Sequence, residues 1–122
     1  MYKQGLNMRL TPKILENLYL CMASCHPMRN WDLPPPELIS FKVTREMDAM
    51  ATYRYDEDLD KPHIITISRL KNEHFDTVQR SLAHEVVHMS FWKTGAWDKH
   101  GKAFRTRTKA VAREYGWDSL EL

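Results

Sequence analysis

The chain has 122 residues, 43% hydrophobic and 28% charged, with 18 lysines and arginines against 16 aspartates and glutamates for a formal net charge of +2. A chain of that length can bury a core of its own, and its near balance of charge excludes a nucleic-acid or membrane reading based on charge as a whole. Two cysteines without a Cys-x-x-Cys pair exclude a zinc ribbon; the reading is a cytoplasmic protein with no membrane partner.

In chain order, residues 1–10 are polar and expected to be disordered, leaving 11–122 as a single domain. Thr11-Pro12 reads as an N-cap followed by proline at the first helical position. Ile14, Leu15, Leu18, Cys21, Met22 and Cys25 recur at helical spacing, which predicts an amphipathic helix over about 12–25 that ends at His26-Pro27. Cys21 and Cys25 are expected to be buried packing residues on that helix. Residues 27–37, with Pro34-Pro35-Pro36, form a stiff linker. Three strand-like runs follow at 38–44, 49–55 and 63–68, and the short segment between the first two favours an antiparallel meander. A second helix is expected from Asp76, with Gln79 completing a capping-box-like pair, to about Thr94, where Gly95 would stop it. A third covers roughly 100–115 and ends at Gly116. The order predicts an α+β domain with helices packed on a small three-stranded, antiparallel-type sheet.

Chemistry concentrates in His84-Glu85-Val86-Val87-His88. At about 100° per residue, Val78, Leu82, Val86 and Met89 form one apolar stripe facing the core. His84 and His88 lie on the other side, one turn apart, where both imidazoles reach a single metal ion. Glu85 projects beside them as a general base for a metal-bound water. A catalytic zinc keeps three protein ligands, and two residues compete for the third place. His100 can return to the metal across the break at Gly95 to Asp98 and is favoured. Glu114 is the rival, but the two lie 14 residues apart on one helix, roughly 21 Å, so they cannot both bind. The residues after His88 lack the glycine and close histidine of the metzincin layout.

The His-Glu-x-x-His helix followed by His100-Gly101-x-x-Phe104, and preceded by a helix, three strands and Ile64-Ile65-Thr66-Ile67-Ser68, resembles the SprT-like metallopeptidases over about residues 11–115. That resemblance implies a small zincin-like domain in which His84, His88 and His100 bind one Zn²⁺ and Glu85 is catalytic. The family includes the Spartan proteases, which cleave proteins crosslinked to DNA, whereas residues 1–122 hold no cysteine-rich ribbon of the kind fuller members carry. The expected activity is zinc-dependent hydrolysis of peptide bonds in a protein or peptide substrate, DNA-associated proteins among the candidates. The alternatives are a non-catalytic zinc module that binds DNA or a protein, and a zinc hydrolase for a non-peptide bond.

Other features are weaker. Lys102, Arg105, Lys109 and Arg113 fall at helical spacing on the third helix, with Lys99 and Arg107 nearby; they suit DNA phosphates or a plain solvated face. Tyr53, Tyr55 and Tyr115 are chemically able to stabilise an oxyanion. The strand at 63–68 could be an edge that pairs with an extended substrate. His63 and His74 are expected at the surface. Trp92 and Trp97 flank the loop between ligands, where they suit a cleft wall or core packing.

Overall fold

The computed structural model describes residues 9–45, 47–72, 74–118 and 122. Most of the segment expected to be disordered lies outside these residues, but Leu10 is buried and belongs to the core. Helix α1 spans Pro12–Ala23 and begins as its sequence dictates, with the Thr11 hydroxyl accepting from the Ile14 amide at 3.2 Å. Leu15, Tyr19 and Met22 turn inward, and the Tyr19 hydroxyl donates to the Pro34 carbonyl at 2.6 Å, pinning the proline linker against the helix. The helix stops at Ala23, so Cys21 lies in its last turn and Cys25 beyond it. Cys21 and Cys25 are both exposed, which corrects their expected burial; the inward face is filled by the larger Leu15, Tyr19 and Met22.

The sheet is mixed, not antiparallel: β1 (Ile39–Thr44), β2 (Ala51–Tyr55) and β3 (His63–Ser68) are ordered β1-β3-β2. Strand β1 runs parallel to β3, with Ile39 opposite His63 and Thr44 opposite Ser68; β2 runs antiparallel to β3, with Ala51 opposite Ile67 and Tyr55 opposite His63. The physical reason is burial. Ile64, Ile65 and Ile67 place apolar side chains on both faces of β3, a pattern that belongs in a sheet's centre. A meander would have left that run on an edge. The segment after β1 instead arches over the end of β3, where Arg69 donates its amide to Thr44 and Ser68 to Met50, at 2.8 and 2.9 Å. The free edges are therefore β1 and β2, which also corrects the reading of 63–68 as an edge.

Helix α2 (Phe75–Met89) packs on the sheet and between α1 and α3 (Lys102–Tyr115). Val78, Leu82, Val86 and Met89 are fully buried as their stripe requires, and so are Ala83 and Val87. Asp76 does not cap this helix; His74 occupies the cap position without a side-chain bond, and Asp76 pairs with Arg80 one turn on at 2.9 Å. The other end also differs from expectation. The Ser90 hydroxyl bonds back to the Val87 carbonyl at 2.6 Å, the helix ends at Met89, and one 3-10 turn (Trp92–Thr94) follows. Gly95, at φ 76°, closes that turn in the left-handed region open to glycine. Gly116, at φ 75°, ends α3 as expected. Among the described residues no helix is long and apolar enough to cross a membrane.

Candidate metal centre

Helical periodicity sets the first two ligands. His84 and His88 are one turn apart on α2, opposite its apolar stripe, and their Nε2 atoms approach to 3.2 Å. The other ring nitrogen of each meets a main-chain oxygen: His88 Nδ1 donates to the Trp97 carbonyl at 2.8 Å and His84 Nδ1 donates to the main-chain oxygen of Leu122 at 2.6 Å. These oxygens accept, so the proton sits on Nδ1 in both rings and each Nε2 presents a lone pair. Burial lowers both rings' affinity for a second proton, His88 to about 4, so both stay neutral near pH 7. Two lone pairs facing each other at 3.2 Å repel unless a cation lies between them. Tetrahedral zinc–imidazole bonds of about 2.0–2.1 Å would hold two nitrogens roughly 3.3 Å apart, so the pair fits such an ion.

The loop after α2 delivers the third group. Gly95 turns the chain, the Trp97 carbonyl anchors it to His88, and His100 arrives just before α3. Donor atoms of His84, His88 and His100 lie within 4.8 Å of one another, a set that could hold a metal ion. Glu114 is exposed near the far end of α3 and does not join them. The Phe104 ring forms a common floor, with its centroid 5.2, 4.5 and 4.8 Å from the rings of His84, His88 and His100. The sequence marks Phe104 as an apolar residue of the third helix and as part of the His-Gly-x-x-Phe resemblance; its spacing from His100, one turn into the next helix, is the signal for this role.

Glu85 projects from the turn that carries the ligands and is 6% exposed. Among the described residues its carboxylate has no hydrogen-bond partner, and burial pushes its pKa up to about 8. A cation at the histidines would oppose that shift by favouring the carboxylate. Two openings meet at this residue. One, of about 240 Å³, is lined by Ala51–Tyr53 of β2 together with the three histidines, Trp97 and Asp98. The other runs past Met50, Ala51, Thr77, Ser81 and Leu122. His84, Glu85 and Ala51 line both, so the free edge of β2 follows a continuous groove across the centre.

The remaining candidates separate. Tyr53 lines the cleft, but its hydroxyl is 2.8 Å from His63 Nδ1, and burial raises its pKa strongly. Tyr115 stacks on Trp117, away from the cleft. His63 is buried, not at the surface, because Tyr53, Tyr55 and Trp92 enclose its ring. His74 is exposed as expected. Lys102, Arg105, Lys109 and Arg113 are all exposed on α3, and Arg105 donates to the His100 carbonyl at 2.9 Å. Arg107 faces elsewhere: its guanidinium lies over Phe91 and Trp31 and donates to the Ser90 hydroxyl at 2.6 Å, clamping α3 to the end of α2. Comparison of the chain with protein-family models, curated proteins and solved structures returns no match, so a functional reading stands on this geometry and the sequence motif.

Proposed function

We propose that this protein is a zinc-dependent endopeptidase of the SprT-like, zincin type, with His84, His88 and His100 as ligands and Glu85 as general base. The observation that carries the reading is the pair of imidazoles, each anchored by a main-chain oxygen, whose lone pairs converge beside a buried, unpartnered carboxylate. When bound, the ion would polarise the scissile carbonyl and lower the pKa of a coordinated water toward neutrality. The protein's own residues do the rest. A Glu85 carboxylate oxygen accepts the proton of the attacking water and returns it to the nitrogen of the departing amine. The main-chain oxygens of Trp97 and Leu122 hold the ligand rings in one tautomer, and Phe104 covers the inner side of the centre. The edge of β2 pairs with an extended substrate through backbone hydrogen bonds, as an unpaired strand edge can.

The test uses purified protein and its Glu85→Gln variant, zinc analysis and casein cleavage. One zinc per chain in both proteins, with cleavage by the wild type alone, supports the reading. Equal cleavage by both, or no zinc in either, refutes it. Zinc in both with no cleavage by either, with and without DNA, would favour a non-catalytic module. In that case the exposed Lys102, Lys109 and Arg113 should give salt-sensitive DNA binding, and none at low salt would remove the DNA reading.

A further inference from the structure

A second cavity lies beyond the metal cleft, and the proposed reaction makes no use of it. It measures about 650 Å³; Tyr55, Trp92 and Trp97 supply aromatic surface, while Asp56, Glu57 and Asp58 supply carboxylates. Trp97 lines this cavity and the metal cleft alike. Strand β2 joins the two, since its residues 51–53 border the cleft and its last residue, Tyr55, borders the cavity. At about 3.3 Å per residue, an extended chain lying along β2 from beside Glu85 would reach the cavity after roughly three or four residues.

The lining's chemistry selects the occupant. Aromatic faces attract cations through their quadrupole, and Trp92 already does so, with the Lys93 ammonium 5.3 Å from its ring centroid. Lys93 also lines the cavity, but its ammonium is paired with Asp32, which leaves the carboxylates of the 56–58 turn in surplus. Glu57 and Asp58 stand exposed at the rim and make no ion pair among the described residues. Aromatic walls with surplus carboxylates complement a long side chain that is apolar along its stem and positive at its tip.

We infer that the cavity between Tyr55, Trp92, Trp97 and the 56–58 turn is a substrate subsite that accepts a lysine or arginine side chain three or four residues from the bond cleaved. The inference rests on the peptidase reading for its register, so the experiment separates the two. Fluorescent ten-residue peptides of alanine and serine with one lysine scanned along them are titrated by anisotropy onto the zinc-loaded Glu85→Gln protein, and their cleavage by the wild type is measured in parallel. The expected result is binding tighter by roughly five- to tenfold when lysine occupies one particular position, a preference that shrinks in high salt. Norleucine at that position should bind less tightly than lysine, and the exposed double substitution Glu57→Gln/Asp58→Asn should collapse the ratio towards one. No positional preference, equal binding of norleucine, or a lysine preference that survives the double substitution overturns the subsite. A lysine preference in binding without cleavage by the wild type would sink the peptidase reading and leave the cation-accepting pocket standing. Cleavage without any lysine preference would do the reverse.

Discussion

The two halves of the candidate metal centre are built to different tolerances. On α2, His84 and His88 are each held at Nδ1 by a main-chain oxygen, which leaves their Nε2 lone pairs converging at 3.2 Å. His100 is exposed on the segment before α3, and it is fixed by ring contact with Phe104 and by Arg105 holding its carbonyl. The helix therefore presents a ready pair of ligands, and the loop presents a third that an incoming ion can draw in. Pre-organised ligands lose little freedom on binding, so the α2 pair should dominate affinity while His100 completes the coordination.

Ligand removal is the strongest way to break that contrast. His88→Ala should weaken zinc on the order of a thousandfold in chelator competition, and His100→Ala by less. Equal losses would mean that the loop is as pre-organised as the helix. A second expectation concerns the buried ring behind the cleft. Burial lowers His63 to about 4, so the unfolded chain takes up the proton first and folding opposes it. The stability held by neutral His63 is complete above about pH 6.5 and is lost as pH falls towards 4, at a cost of about 3 kcal/mol. Urea unfolding of metal-free wild type and His63→Gln across pH 4–7 should show a shallower acid decline in the variant; parallel declines would refute it.

The start of α1 and the end of α3 follow directly from local chemistry, as Thr11-Pro12 and Gly116 show, whereas both ends of α2 depart from it. The histidine cluster that could hold a metal ion is also readable, because His84 and His88 depend on one helix's period and His100 on a short span of chain. Strand order is not. Nothing local in β1 or β2 states that β3 lies between them; that follows from covering both faces of an isoleucine-rich strand. His63 misleads for the same reason, since its burial depends on Tyr53, Tyr55 and Trp92 arriving from other segments. The anchors of the His88 and His84 rings are main-chain oxygens of Trp97 and Leu122, which no side chain advertises.

Smaller effects sharpen the comparison at the joint between the halves. Arg107 links α3 to the C-terminal end of α2 through Ser90, Phe91 and Trp31. Arg107→Met keeps the length but removes the charge and the donors, and it should cost about 1–2 kcal/mol in denaturant unfolding. Its zinc affinity should fall only in a protein that retains His100, because the clamp acts on the placement of that ligand. A fall of the same size in the His100→Ala background would assign Arg107 to general stability alone. Glu114→Ala should leave zinc affinity unchanged, and a loss there would return Glu114 as the third ligand.

X-ray absorption at the zinc edge of the loaded protein tests the centre most directly. Expected are three imidazole nitrogens at about 2.0–2.1 Å with one light oxygen-type neighbour, and one imidazole fewer in His100→Ala. A sulfur shell near about 2.3 Å, pointing to Cys21 and Cys25, or an unchanged imidazole count in His100→Ala would contradict the account.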